Sequence, residues 1–503
     1  MEFWKRRRNM AEFVHINPED NVAVSIRPIP AGSELKVDGI SVRLREDIPQ
    51  GHKFALYSLK KGSDIIKYGC RIGHATREIA AGEWVHSHNM ATNLSAELEY
   101  RYSPSHPALK RRETESFLGY LRSDGRAATR NELWIIPTVG CVNDIAKALV
   151  RENQDLVQGS IEGLYSFPHP FGCSQTGEDH GMTRKLLASL VRHPNAGGVL
   201  VLSLGCENLT HEQFLAELGP YDRERVRFLI CQDTEDELED GRKLLMELSD
   251  YAGRFQRQPL GVDKLLIGMK CGGSDGLSGI TANPVVGRLS DRLISEGGST
   301  VLTEVPEMFG AEEMLLPRCE NEEVFRKASD MLNGFKEYFL SHHEQVYENP
   351  SPGNKEGGIT TLEDKSCGCV QKGGRAPIVD VLGYAESAKK QGLSLLWGPG
   401  NDLVSATNLT AAGCQLILFT TGRGTPFGAP APTMKLSSND SLAKRKKNWI
   451  DFNAGTVASS GESIDSAAER LWNFVKEAAS GKRTRSEEHD CREISIFKDG
   501  VIL

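Results

Sequence analysis

The stretch Lys264-Leu265-Leu266-Ile267-Gly268-Met269-Lys270-Cys271-Gly272-Gly273-Ser274-Asp275-Gly276 decides the fold of this chain. A short apolar run, of a length suited to a buried strand, leads directly into a polar loop rich in glycine. The same arrangement recurs. Leu133-Trp134-Ile135-Ile136-Pro137-Thr138-Val139-Gly140 precedes Cys141-Val142-Asn143, and Gly198-Val199-Leu200-Val201-Leu202-Ser203-Leu204-Gly205 precedes Cys206-Glu207-Asn208. Val226 to Ile230, Thr300 to Thr303, Leu393 to Trp397 and Leu416 to Thr420 are further apolar runs, and helical stretches such as Thr183 to Arg192 and Glu235 to Leu248 lie between them. Strands alternating with helices predict an α/β fold with mainly parallel sheets covered on both faces.

With 503 residues the chain is too long for one core. The strand–loop theme restarts at Lys264, which places a division near residue 258. This predicts a second α/β domain over 126–257 and a C-terminal α/β domain over 258–503. The first hundred residues differ. Val22 to Ile26, Ile40 to Leu44, Asp64 to Gly69 and Glu83 to His86 read as short strands after glycine turns, and Pro30-Ala31-Gly32-Ser33-Glu34 is echoed by Ala80-Ala81-Gly82-Glu83-Trp84. A small β-rich domain is expected over 12–97, followed by a polar linker over 98–125. Met1 to Asn9, with the basic cluster Lys5 to Arg8, reads as a loose extension, and Met10 is a candidate start.

The net charge of −8 is mild and argues against a nucleic-acid surface. No run approaches the length of a membrane span, and no apolar run follows the basic N-terminus as a secretory signal requires. Eleven cysteines, an odd number, point to reduced thiols and a cytoplasmic protein.

Ligands of open α/β sheets bind beyond the carboxyl ends of the strands. Cys141, Cys173, Cys206 and Cys271 each stand in such a position. The alternatives are packed thiols, ligands of a mononuclear iron or zinc, or an iron–sulfur cluster. His86 and His88, two apart in an expected strand, face one side and form a candidate site for iron(II), manganese(II) or zinc; the bland alternative is two exposed histidines. Tyr347 to Lys372 shows little periodicity, and a segment of that length is expected to be functional. Within it Lys355 and Lys365 are candidates for binding a carboxylate or for proton transfer. Arg423, between glycines after a strand, is a candidate carboxylate clamp. Glu304 and Glu307, just beyond a strand, are candidate ligands or bases.

The strings Lys270 to Gly279 with Asn283-Pro284, Asn349-Pro350-Ser351-Pro352-Gly353-Asn354-Lys355, Thr421-Gly422-Arg423-Gly424-Thr425 and Trp449-Ile450-Asp451-Phe452-Asn453-Ala454-Gly455 resemble the altronate and galactarate dehydratase family. The resemblance covers nearly the whole chain from about residue 13. It implies that the N-terminal domain is a β-clip of the SAF type. It also implies a hydro-lyase reaction on a sugar acid, with dependence on Fe(2+) and Mn(2+) as a substitute. The ligands do not follow from it. The working assignment gives the metal to His86 and His88, helped by cysteines or carboxylates of the large domain. Arg423, Lys355, Asn354, Ser274 and Asp275 are expected to hold the substrate, and Lys365, Glu304 and His180 to transfer protons. The site is expected between the β-clip and C-terminal domains. Competing readings are an iron–sulfur hydro-lyase using Cys141, Cys173, Cys206 and Cys271, a lyase for galactarate or sulfolactate, and a sugar-acid-binding regulator. The partners expected are a small-molecule sugar acid and further copies of the chain in a homo-oligomer.

Overall fold

The computed structural model describes residues 12–94 and 100–502. The basic cluster Lys5 to Arg8 lies outside them. The N-terminal domain is built of short strands. Val22–Ser25 pairs antiparallel with Phe13–Val14 and with Lys53–Ala55, which in turn pairs with Trp84–Val85. Two hairpins, Glu34–Val37 with Ile40–Arg43 and Asp64–Lys67 with Cys70–Ala75, flank this sheet. Gly32 and Gly82, in the two related turns, both have positive φ, which explains the glycine in each copy.

Residues 100–115 carry no helix or strand, and the strand Ser116–Leu121 follows them. That strand pairs antiparallel with Ala127–Ala128 and Gln258–Gly261. The expected linker therefore ends in a strand that stitches the two larger regions together.

The next sheet has four parallel strands in the order Gly163–Ser166, Glu132–Pro137, Ala196–Ser203, Val226–Ile230. Ala196–Ser203 is buried at every position, as a strand covered on both faces must be. The largest sheet has seven parallel strands in the order Ile378–Leu382, Leu393–Leu396, Ser299–Leu302, Leu266–Cys271, Leu416–Thr421, Thr433–Ser437, Phe452–Asn453. From Leu266–Cys271 the chain moves first to Ser299–Leu302 on one side, and only later to Leu416–Thr421 on the other. The switch point, where a crevice must open, thus lies at the carboxyl ends of Leu266–Cys271 and Leu416–Thr421. The two sheets share a core in which Trp134, Leu187 and Leu190 meet Tyr384, Val404 and Phe497.

The β-clip domain docks over the switch point of the large sheet. Gly51, Gly276, Gly357 and Gly358 let the two backbones meet; a Cβ on Gly276 would lie 2.0 Å from Gly51 O. The docking is fixed by a buried carboxylate. Asp364 Oδ2 accepts from Lys53 Nζ at 2.8 Å and Asp364 Oδ1 from Lys67 Nζ at 3.0 Å, with all three side chains buried. Burial opposes the charge on Asp364, but the two ammonium groups outweigh it and hold its carboxyl well below the usual range. Removing the carboxylate strands two buried cations. Asp364→Ala is therefore expected to destabilise the protein by about 3–5 kcal/mol, read as a lower urea midpoint. The triple change Lys53→Met, Lys67→Met, Asp364→Leu should restore most of that loss.

Candidate active site and metal centre

The carboxyl end of Leu266–Cys271 carries two chemically distinct neighbours that alternate across the sheet. Lys270 Nζ donates to Glu304 Oε1 and Asp402 Oδ1, both at 2.7 Å, and to Ser405 Oγ at 3.1 Å. Cys271 N donates to Glu304 Oε2 at 2.7 Å. Cys271 Sγ lies 2.8 Å from Glu307 Oε2, 3.3 Å from Cys369 Sγ and 3.0 Å from Lys372 Nζ. Lys365 Nζ closes the set, 2.7 Å from Glu307 Oε1 and 2.9 Å from Asn349 Oδ1.

Each element has a reason to be there. Glu304 and Glu307 leave the Ser299–Leu302 strand through a turn in which Glu304 adopts φ 74, a left-handed conformation that non-glycine residues rarely hold. Lys365, Cys369 and Lys372 come from the helix Leu362–Cys369 and the turn that continues it, capped by Thr361, whose side chain accepts from Asp364 N. Their spacing of four and then three puts them on one face. Asp402 opens the helix Asp402–Ala411, capped by Asn401.

The electrostatics follow from burial. Burial opposes the charge on Lys365, but Glu307 and the neighbouring thiols outweigh it, so the ammonium is held protonated. Burial likewise opposes Glu307, and Lys365 and Lys372 outweigh it, bringing its carboxyl down to about 2. Glu304 goes the other way. Burial and the adjacent Glu307 push its carboxyl well above the usual range, since Lys270 is shared with Asp402 and neutralises neither fully. The hydrogen bond with Cys369 is the main cause that brings Cys271 down to about 6; Lys372 and Lys365 help, while burial and Glu307 oppose.

A looser ring surrounds this set. Gly422 N and Arg423 N both donate to Gly273 O at 3.0 Å, joining the loops of the switch point. Arg423 is half exposed and donates to Glu356 Oε2 at 2.9 Å. Asn354 Nδ2 donates to Ser274 O at 2.7 Å, and Ser274 Oγ is buried without a partner. Asp275 is occupied by Ser278, Ser438 and Asn439, so it holds the loop together. From the β-clip, His52 Nε2 donates to Glu356 O at 3.1 Å, since its Nδ1 accepts from Trp84 Nε1. His86 Nε2 donates to Lys355 O at 3.0 Å. Cavities of about 610 and 730 Å³ lie elsewhere, beside Ser105 and beside Tyr100. A space of about 10 Å³ adjoins the charged set, lined by Ser274, Lys365, Cys369, Lys67 and Tyr68.

The structure thus brings together Lys365, Glu304, Cys271, Asn354, Ser274, Asp275 and Arg423, while Lys355, next to Asn354, is exposed and meets the β-clip through its backbone oxygen. It does not bring the other sequence candidates to them. His180 belongs to the helix Gly177–Val191 of the second domain. Cys141, Cys173 and Cys206 are exposed on loops of that same domain, while Cys271 is buried in the other sheet. The strand expected to carry His86 and His88 ends at Val85. Asn89 Oδ1 accepts from His86 N and turns the chain, so the two rings do not share a strand face. His86 is taken up by Lys355 O and Ser87 Oγ, and His88 lies toward Glu46 and Glu83 on the surface. Sequence reasoning missed Lys270, Cys369, Lys372 and Asp402. The first lay inside a quoted motif, and the i, i+4, i+7 spacing of Lys365, Cys369 and Lys372 was a usable signal.

Cys271, Glu307 and Cys369 are buried with ligand atoms all within 4.8 Å of one another. Thiolates with a carboxylate suit a divalent transition metal such as iron(II). Lys372 Nζ lies against Cys271 Sγ and Lys365 Nζ against Glu307 Oε1, so two ammonium groups neutralise these ligands in the structure.

Opposed acids and bases buried at the switch point of a parallel sheet, beside a group of thiol and carboxylate ligands, define an enzyme. Residues 11–93 match the altronate/galactarate dehydratase SAF domain, 119–253 the second domain of D-galactarate dehydratase/altronate hydrolase, and 262–502 the C-terminal region of D-galactarate/altronate dehydratase. The chain is 49% identical to an altronate dehydratase of Bacillus subtilis (strain 168) over 98% of this chain and 100% of that protein. It is also 49% identical to an altronate dehydratase of Escherichia coli (strain K12), again over 98% and 100%. A galactarate dehydratase (L-threo-forming) of Escherichia coli (strain K12) is 33% identical over 94% of each chain. The chain belongs to the D-galactarate/altronate dehydratase family, and as a dehydratase it is a lyase.

In the metal-free protein the thiolate absorbance is expected to show a step below the range of an ordinary thiol. Cys271→Ser should remove that step and leave the thiols that titrate at higher pH.

Proposed function

We propose that the chain dehydrates D-altronate to 2-dehydro-3-deoxy-D-gluconate, a step of hexuronate breakdown in the cytoplasm, with iron(II), or manganese(II) in its place, as the metal. The observation that carries altronate over its relatives is identity: 49% over the full length with two altronate dehydratases, against 33% with a galactarate dehydratase. Among the described residues no helix is long and apolar enough to cross a membrane.

The reaction removes the C2 proton and the C3 hydroxyl. Arg423 and Lys355 are both exposed, close to Ser274 and Asn354, and their charges suit the substrate carboxylate. Asn354 and the unpartnered Ser274 hydroxyl lie deeper and suit the sugar hydroxyls. Glu304, with its raised affinity for a proton, is the acceptor for the C2 proton. Lys365, held protonated by Glu307, is the donor to the departing C3 hydroxyl. The docked β-clip excludes water from both transfers. A divalent metal held by Cys271, Glu307 and Cys369 would supply positive charge for the substrate oxygens. The enol then becomes the ketone without a redox step.

Anaerobic, iron-supplied protein given D-altronate or galactarate should form 2-keto-3-deoxy acid from altronate with the higher kcat/KM. A preference for galactarate, or no product from altronate, would overturn the assignment. Glu304→Gln and Lys365→Met are each expected to lower kcat about 10²- to 10⁴-fold with little change in KM. Arg423→Ala should raise KM about 10- to 100-fold instead.

A further inference from the structure

The second domain has a switch point of its own. In its sheet Glu132–Pro137 lies between Gly163–Ser166 and Ala196–Ser203, so the chain leaves the central strand first to one side and then to the other. A crevice belongs where the loops after Glu132–Pro137 and Ala196–Ser203 part. Those loops carry Cys141 and Cys206, and the loop after Gly163–Ser166 brings Cys173 to the same place.

The three loops interlock. Gly140 N donates to Phe171 O at 2.9 Å. Gly172 crosses the end of the central strand so closely that a Cβ would lie 1.9 Å from Thr138 O. Leu209 N donates to Gly172 O at 3.1 Å, and Asn208 Oδ1 lies 3.4 Å from Cys173 Sγ while accepting from Ser174 N at 2.7 Å. Cys173 therefore stands between the loops of Cys141 and Cys206. All three thiols are exposed, whereas Cys271, Cys319, Cys367, Cys369 and Cys414 are buried. Cysteines that merely pack are buried; exposed ones on three adjoining strand ends call for another account.

Three further features favour an anionic, thiolate-bound group. Each cysteine leads into a helix, Asn143–Glu152, Gly177–Val191 or His211–Leu218, so three positive helix ends adjoin the crevice. Gln175, 2% exposed, has its Nε2 buried without a hydrogen-bond partner. His180 Nε2, on the helix that follows, is buried and unpartnered as well. The geometry also bears on what is bound. One tetrahedral metal with bonds of about 2.3 Å needs its sulfurs within roughly 4 Å of each other. The three thiols are not among the described groups whose ligand atoms converge within 4.8 Å. A multi-iron cluster spans a wider set.

We propose that Cys141, Cys173 and Cys206 hold an iron–sulfur cluster of the 4Fe–4S type in this crevice, with the fourth iron free of protein thiolate. Binding is a ligand exchange in which three thiols lose their protons as iron–sulfur bonds form and the oxidation state of the cluster is unchanged. The site is separate from the Cys271 set and does not depend on altronate being the substrate.

The test is made on the full chain, purified and reconstituted anaerobically with iron and sulfide, then desalted. About four iron and four acid-labile sulfide per chain are expected, with broad visible absorption. Cys141→Ser, Cys173→Ser and Cys206→Ser should each lower sulfide content about five-fold or more, while Cys231→Ser and Cys271→Ser keep it. In the wild-type protein, cluster loading should protect the peptides containing Cys141, Cys173 and Cys206 from iodoacetamide, a measurement that needs no variant to fold. Iron without sulfide, sulfide retained in the three variants, or no protection of the three peptides overturns the proposal.

Discussion

One carboxylate organises this molecule. Asp364 sits at the start of the helix that supplies Lys365, Cys369 and Lys372, and both of its oxygens are taken by ammonium groups from a domain some three hundred residues earlier. The β-clip is thereby held against the catalytic loops by a fully buried triad. Once it is seated, His52 and His86 bind the backbone carbonyls of Glu356 and Lys355. The segment that carries Lys355 and Glu356 is thus held from the far side by the β-clip.

The charged set beneath it is balanced without being inert. Lys270 is divided between two carboxylates, and Glu307 is divided between a lysine and a thiol. The two glutamates are therefore separated: Lys365 and Lys372 bring Glu307 down, while burial and the charge of Glu307 drive Glu304 up against the pull of Lys270. After the left-handed turn at Glu304 its carboxylate reaches the end of the neighbouring strand Leu266–Cys271, where Cys271 N and Lys270 Nζ donate to it.

Much of the fold was legible because parallel strands covered on both faces are continuous apolar runs. Ala196–Ser203, Leu266–Cys271 and Leu416–Thr421 announce themselves in this way. Ile378–Leu382 and Thr433–Ser437 do not: the first contains Asp380 and the second Lys435. The site was legible where chemistry follows a strand, as at Cys271, Glu304 and Arg423. In Tyr347 to Lys372 it was legible in part: Asn354 and Lys365 stand out as polar candidates, but Cys369 and Lys372 do not, since the period that joins them to Lys365 is polar and not apolar. The face of Leu362–Cys369 turned to the core carries Lys365 and Cys369, since what it meets there is charge and not hydrocarbon. His86 and His88 misled because two-residue spacing has meaning only while the strand lasts, and Asn89 ends it.

The reach of the Asp364 triad also constrains how the protein is made. Lys53 and Asp364 are separated by 311 positions in the chain. At about 5–20 residues per second a ribosome needs roughly 15 to 60 s to pass from one to the other. For that time Lys53 and Lys67 belong to a nascent domain whose docking face has nothing to meet. The small strands can pair at once, because their partners are local. The two lysines have no buried partner until the carboxylate arrives, and the contact that buries them also seats the β-clip against the catalytic loops.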